Sequence, residues 1–392
     1  MVFPRRIYPS LLAHAQTPLV TVLTGMRRTG KTTLIKKLLI DIPNKNSLYL
    51  DLQRPDNREI FEQKNYEAIY ETFMARGLSA AESMVVALDE TQLAPHAPSA
   101  IKYLYDHHQV KFIVTGSSSY YLKNLFTESL SGRKKIFELY PLDFGEFLTF
   151  KEIKFSFKDW QNKPFDKLEY DRLKTYYEEY IRFGGFPQVV LAASDEEKRD
   201  LLLDIMSSYV NIDIRSLADF SDERNLYKLA KLLVGRIGSR VEYTTLSRLT
   251  GLSRQTVNNY VTFFEKTYLV STIPVLTKSP TREIVKARKL FFCDTGLANS
   301  LGDLSGGAQF ENTLFNQLSR IGSLQYYALK SGNEIDFILN GELALEAKET
   351  PTEGDLASLL RMAARAGLSK NRIIGRNQSP KFDDYAWGGS IV

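Results

Sequence analysis

In the first third of the chain, short apolar runs alternate with longer stretches whose apolar residues recur every three or four positions. Residues 19–23, 47–50, 84–88 and 110–115 are the short runs and predict strands. Residues 31–40, with Leu34, Ile35, Leu38 and Leu39 on one side, predict an amphipathic helix. Strands separated by helices imply a parallel sheet with helices on both faces, an α/β class. From about residue 144 to 220 the pattern turns helical and aromatic. Tyr176, Tyr177, Tyr180 and Phe183 lead into Gly184-Gly185-Phe186-Pro187, a turn-forming break. Helical periodicity resumes at 195 and runs past 209, and a shorter helical unit covers 226–268. From 289 the chain reads as strands again, with helices at 309–321 and 353–366. There is no internal repeat and no low-complexity tract.

Composition narrows this only a little. The 392 residues allow two or three ordinary domains. A hydrophobic fraction of 43% and a charged fraction of 25% suit a soluble globular protein. No apolar run approaches the ~20 residues that span a bilayer, and no apolar signal core follows Arg5 and Arg6. A cytoplasmic protein that does not enter the membrane is the expectation. The single cysteine, Cys293, excludes an intrachain disulfide and a cysteine zinc site; flanked by Phe291 and Phe292, it reads as a core residue. The net charge is +5, but residues 221–292 hold 13 Lys+Arg against 5 Asp+Glu, so the rest is slightly acidic. A basic segment in a near-neutral chain points towards nucleic acid.

The strongest chemistry follows the first strand. Gly25-Met-Arg-Arg-Thr-Gly30-Lys31-Thr32 fits G-x-x-x-x-G-K-[ST] at every fixed position, with an apolar strand before it and a helix after it. The glycines let backbone N–H groups turn towards phosphate oxygens, and the helix N-terminus adds partial positive charge. Gly25, Arg28, Thr29, Gly30, Lys31, Thr32 and Thr33 form the nucleotide-binding set. Lys31 reaches the β- and γ-phosphates, and the Thr32 hydroxyl goes to Mg²⁺. Downstream, the apolar run 84–88 ends in Asp89-Glu90. Asp89 would hold Mg²⁺ mostly through water, and Glu90 would polarise the attacking water. The next strand runs into Gly116-Ser117-Ser118. Ser117, with Thr115 as the alternative, stands where hydrolysis of the γ-phosphate is sensed. Arg133 reads as a phosphate ligand in cis or in a neighbouring subunit, or as an ordinary surface arginine. Arg27 and Arg28 have phosphate or nearby acidic side chains as partners.

These motifs fall in one order: Gly25 to Thr33, Leu88-Asp-Glu-Thr-Gln92, Thr115-Gly-Ser-Ser118, Ser131-Gly-Arg133, Tyr140-Pro-Leu-Asp-Phe-Gly-Glu-Phe-Leu148 and Gly184-Gly-Phe-Pro187. Over nearly the whole chain the set resembles the prokaryotic AAA-type ATPases that carry a C-terminal DUF4143 domain. The resemblance implies an AAA+ P-loop core at 1–143, a helical lid at 144–220, a winged helix at 221–290 and a nuclease-like α/β domain at 291–392. It also implies ATP rather than GTP. It leaves the oligomeric state and the physiological role open.

Within the expected winged helix, residues 244–250 read as a short helix with Leu246 and Leu249 inward. Gly251-Leu252 makes the turn, and Ser253 caps a second helix to about 266. Val257, Tyr260, Val261 and Phe264 form its apolar face. Arg254, Gln255, Asn258 and Asn259 form the other face, and can hydrogen-bond base edges or phosphates. Residues 269–274 and 282–292 are the expected wing strands. DNA is the partner this suggests; packing against a neighbouring domain is the alternative.

Towards the C-terminus, residues 334–339 read as a strand, Asn340-Gly341 as a two-residue hairpin turn and 343–349 as the returning strand. Glu346 and Lys348, two apart, share a face, and Asp336 can lie beside them. The arrangement resembles a PD-(D/E)xK nuclease core, in which Glu311 would be the helical acid. Asp336 and Glu346 would hold a second Mg²⁺ or Mn²⁺, and Lys348 would orient or activate water. Ile335 stands where the motif has proline. A domain of this fold that binds without catalysis is the alternative.

Overall fold

The computed structural model describes residues 3–117, 130, 132–157, 159–214, 223–277, 287–329 and 332–392. These fall into two compact units. The first is residues 3–140 with 266–268, and the second holds the remainder. Ser118, Ser131 and residues 282–286 of the expected wing lie outside the described residues.

The first unit is built on five parallel strands in the order β2-β3-β4-β1-β5: β1 Val20–Thr24, β2 Ser47–Asp51, β3 Val85–Asp89, β4 Lys111–Gly116 and β5 Lys134–Glu138. Helices α1 Tyr8–Ala15, α2 Lys31–Asp41, α3 Tyr66–Ala75 and α4 Ala97–His108 accompany it. The central strands β1, β3 and β4 are buried along their whole length, as the unbroken apolar runs require. One core joins Val20, Val22, Val86, Leu88, Phe112 and Val114 to Phe73 and Leu104 of α3 and α4. The other joins Leu23, Ala87 and Ile113 to Leu34, Ile35 and Leu38 of α2. Strand β5 was not legible as a strand. Lys134-Lys135-Ile136-Phe137-Glu138 lies at the sheet edge, and Phe137 is its one fully buried side chain.

In the second unit, α5 Phe144–Phe150, α6 Lys167–Phe183, α7 Pro187–Leu191 and α8 Asp195–Ser208 are followed by a π-helical turn at 209–214. Next come α9 Glu223–Val234, α10 Tyr243–Thr250 and α11 Arg254–Lys266, then an antiparallel pair, β6 Val270–Ile273 and β7 Lys289–Phe292. Helices α12 Thr295–Leu301 and α13 Gly306–Leu318 lead into a second sheet. Its strands β8 Leu324–Ala328, β9 Glu334–Leu339, β10 Leu343–Lys348, β11 Lys370–Gly375 and β12 Ala386–Trp387 lie side by side in chain order, with α14 Glu353–Ala366 between β10 and β11. β9 is antiparallel to both neighbours; β10, β11 and β12 are parallel. Asn340 and Gly341 both take positive φ, as the tight hairpin predicted.

The Gly184-Gly185 break is a packing device. Asp294, the N-cap of α12, accepts the Gly185 N–H at 2.8 Å and the Leu297 N–H at 2.8 Å, while the Leu142 N–H donates to the Gly185 carbonyl at 2.7 Å. Burial raises the Asp294 carboxyl to about 6, against the pull of the N–H groups of Gly185, Leu297 and Gly296. Cys293 is buried, as expected. Among the described residues, no helix is long and apolar enough to cross a membrane.

Candidate functional site

The C-terminal ends of β1, β3 and β4 converge on one polar centre. β1 ends at Thr24, and the loop 25–30 passes straight into α2, which starts at Lys31 on a left-handed Gly30. The Gly25 backbone lies against the carbonyl of Leu139, and the Leu139 N–H donates to Thr24 at 2.7 Å. The buried Lys31 ammonium donates to the loop carbonyls of Gly25 (2.8 Å) and Met26 (3.0 Å). The Thr29 hydroxyl donates to Met26 at 2.9 Å. Arg28 has a positive φ in the same loop, and Thr33 lies in the first turn of α2.

Strand β3 delivers the two carboxylates. Asp89 Oδ2 accepts the hydroxyls of Thr32 (2.7 Å) and Tyr49 (2.8 Å), and Oδ1 accepts the hydroxyl of Thr115. Thr115 in turn accepts the Glu90 N–H at 3.1 Å, which ties β4 to the end of β3. Burial first, and then the Asp89 charge, raise the Tyr49 phenol above its usual range. Glu90 sits in the left-handed region at φ 56° and ψ 47°, a conformation that costs energy for a residue with a Cβ. Its side chain accepts from the Gln92 amide and faces the Arg27 guanidinium at 3.8 Å. The same Gln92 amide reaches the Ser117 hydroxyl at 3.2 Å. Ser117 therefore belongs to the Glu90 side of the centre, and Thr115 to the Asp89 side. Arg27 has an acidic partner, which answers one of the alternatives left by the sequence.

The donor set fits a magnesium–nucleotide. A hydroxyl and a carboxylate are already 2.7 Å apart at Thr32 and Asp89. Thr24 Oγ1 and Gln92 Oε1 are buried with no hydrogen-bond partner among the described residues. Arg5, Tyr49 and Gln92 were missed by sequence reasoning. Gln92 lies two residues past Glu90 and was visible. Arg5, which binds the carbonyls of Thr29 (2.9 Å) and Tyr140 (2.7 Å), has no local signal.

Arg133 is elsewhere. It directly precedes β5, and its carbonyl accepts the N–H of Val20, the first residue of β1. Its guanidinium pairs with Asp106 of α4 at 2.9 Å. In parallel strands that is the edge opposite the phosphate loop, about 13 Å away along β1. Arg133 therefore does not reach the phosphate site of its own chain.

A second polar cluster lies within the second unit. Asp336 of β9 and Glu346 with Lys348 of β10 come together, as the strand pattern predicted, and Glu311 of α13, which the resemblance had added, lies with them. Asp336 Oδ2 accepts the Ala347 N–H at 3.0 Å, and Lys348 donates to Glu346 at 2.9 Å. Two participants were missed: Glu334 of β9, and Lys289, the first residue of β7. The Lys289 ammonium lies 2.8 Å from Glu334, 3.5 Å from Glu311 and 3.5 Å from Asp336, and its side chain is 1% exposed. Burial raises Glu311 and Glu346, each reinforced by the Asp336 charge. Burial alone would lower Lys289, but Asp336, Glu311 and Glu334 outweigh it and hold the ammonium above the ordinary lysine range. Among the described residues no group of three or more His, Cys, Asp or Glu is arranged to hold a metal. The expected second metal, on Asp336 and Glu346, does not fit an arrangement whose centre is an ammonium. Lys289 also leaves the basic excess of 221–292, because its charge is spent internally.

The helical pair is as expected in outline. α10 ends on left-handed Gly251, Ser253 accepts the Thr256 N–H at 3.0 Å, and Val257, Tyr260, Val261 and Phe264 are buried. Arg254, Gln255, Asn258 and Asn259 are exposed. Leu249 is a correction: it is 44% exposed, and Thr250, whose hydroxyl bonds the Leu246 carbonyl at 2.8 Å, faces inward instead.

A phosphate loop, a paired Thr32 and Asp89 and a following glutamate on a five-stranded parallel sheet make up a P-loop ATPase-type domain. Residues 17–148 match the family model described as AAA domain, and residues 174–308 match that of a domain of unknown function, DUF8612, where the resemblance had implied DUF4143. The chain is 26% identical over 375 residues to an uncharacterized protein of Haemophilus influenzae, covering 91% of this chain and 90% of that one. It is 25% identical over 356 residues to an uncharacterized protein of Methanocaldococcus jannaschii, covering 86% and 77%. A solved structure of AMPPCP-bound DnaA from Aquifex aeolicus is 14% identical, covering 66% of this chain and 86% of that one, with a TM-score of 0.29.

Proposed function

We propose that the chain is an ATP-hydrolysing protein of the cytoplasm that couples its nucleotide state to DNA binding. The observation that carries the ATPase part is the bonding of Thr32 and Asp89 at the phosphate loop, with Glu90 next to them. Lys31 leaves the loop carbonyls to meet the β- and γ-phosphates. Thr32 and Asp89 would hold Mg²⁺, which neutralises charge on the phosphates when bound. Glu90 takes the proton of the attacking water, and Ser117 lies beside it through Gln92. Arg133, at the opposite end of the sheet and paired with Asp106, serves either as an ordinary surface arginine or as a phosphate ligand for a neighbouring copy.

In this reading residues 1–143 are the AAA+ core, 144–220 the lid, 221–290 a winged helix and 291–392 a nuclease-like domain that binds without cleaving. The exposed Arg254, Gln255, Asn258 and Asn259 support the DNA contact, since their side chains are free of the core. The test is ATP turnover with and without duplex DNA. Wild type should turn over ATP faster with DNA, and Lys31→Ala should abolish turnover. Turnover indifferent to DNA, together with no retention of DNA in a gel, would replace DNA with a protein partner as the target of the switch.

A further inference from the structure

We infer that Lys289 takes the place of a divalent cation in the acidic cluster of the second sheet and excludes one from it. The ammonium meets carboxylate oxygens of Glu334, Glu311 and Asp336 at 2.8, 3.5 and 3.5 Å. These three come from α13 and β9, while the lysine comes from β7, outside the sheet that carries the acids. The remaining charges are also matched. Lys348 binds Glu346 at 2.9 Å, and Arg240 lies 3.7 Å from Glu334. Lys348 also lies 3.9 Å from Asp355, so each acid of the cluster has a protein cation within ion-pair distance.

A magnesium or manganese ion needs several oxygens at about 2.0–2.6 Å around one point. Here the oxygens converge on a nitrogen, and two cations at that spacing repel strongly in a buried site. The lysine cannot simply swing out. Its backbone pairs with Ile273 on one side and Arg240 on the other, and its stem is enclosed. Glu311, partly buried, is also closely packed, because a side chain at Gly238 would collide with its carboxylate. The cluster is an ion-paired joint that fastens β7 to α13 and β9.

The test uses the full chain without nucleotide. Manganese binding is followed by electron paramagnetic resonance in wild type, Asp336→Asn, Lys289→Met and Lys289→Met/Asp336→Asn. Manganese at the phosphate loop contributes equally to all four, so this outcome is separate from that of the ATPase reading. Wild type and Asp336→Asn should bind the same amount. Lys289→Met should gain one equivalent, which the double variant loses. A manganese ion that wild type binds and Asp336→Asn does not would overturn the inference, and so would a folded Lys289→Met that gains none. Should Lys289→Met not fold, the comparison of wild type with Asp336→Asn still decides. Lys289→Arg then serves as the second variant: retaining the cation, it should gain no manganese, and a gain would count against exclusion by charge.

Discussion

Gln92 and Glu90 are bound side chain to side chain: the amide of one donates to the carboxylate of the other and reaches on to the hydroxyl of Ser117. Glu90 stands on left-handed backbone, so its carboxylate is aimed by this bond and by the Thr115 hydroxyl that accepts its N–H. Gln92 is therefore a positioning residue. Gln92→Ala should lower kcat for ATP by roughly 10-fold and leave KM nearly unchanged, because the phosphate contacts are made by other residues. Steady-state kinetics checks this, and an equal rise in KM would show a binding role instead.

Glu90→Gln separates binding from chemistry. It should retain a non-hydrolysable ATP analogue at wild-type affinity while turnover falls by about 10²–10⁴-fold, the usual worth of a positioned general base. Isothermal titration with the analogue, beside a phosphate-release assay, reads both quantities.

The pH dependence of the first unit should carry a signature of His14. Burial, then the charges of Lys111 and Lys135, lower its imidazole from 6.5 to about 4. Nδ1 lies 2.9 Å from the Thr21 hydroxyl, and Nε2 is buried with no partner among the described residues. The folded value is below the unfolded one, so between pH 6.5 and about 4 the unfolded chain takes up a proton that the fold refuses. The stability this group contributes at pH 7 is lost as pH falls through that window. His14→Asn should unfold with a weaker dependence on pH there, as measured by urea denaturation at pH 7 and pH 4.5. Parallel curves for the two proteins would mean that His14 is protonated in the fold.

Gly184→Ala tests the joint between α6 and α12. The residue has φ 73°, and a Cβ there would collide with the Asp294 carboxylate. The added strain and overpacking should cost about 3 kcal/mol in chemical denaturation. A loss below about 0.5 kcal/mol would show that Asp294 moves aside freely.

For the nucleic-acid reading, Arg254→Ala should weaken duplex binding about 10-fold and reduce the dependence of log Kd on log salt by about one unit. Arg254 is exposed at the start of α11, so its loss should leave thermal stability unchanged. Unaltered affinity would remove this face as the contact.

What the sequence disclosed depended on the range of the interaction. The phosphate loop is local: a strand, eight residues and a helix, all within the span from Val20 to Asp41. The hairpin through Asn340-Gly341 is local too, and both elements lie where the pattern set them. Strand β5 was hidden because an edge strand with one buried side chain has no apolar signature. Leu249 and Thr250 exchanged roles because a short helix leaves a one-residue uncertainty in its inward face. Arg133 could not be placed without the register of β5 against β1. Lys289 was read as one more basic residue, because nothing near it in the chain shows that Glu311, Glu334 and Asp336 would surround it.

Lys289 also constrains how the sequence can change. A neutral residue at 289 leaves three carboxylates crowded together, and loss of one acid leaves a buried ammonium short of a partner. Each single step is costly, while a matched pair of steps keeps the balance. Positions 289, 311, 334 and 336 should therefore drift together across descendants of this chain. A relative in which 289 has become neutral should have shed an acid as well, or have found another cation to stand in its place.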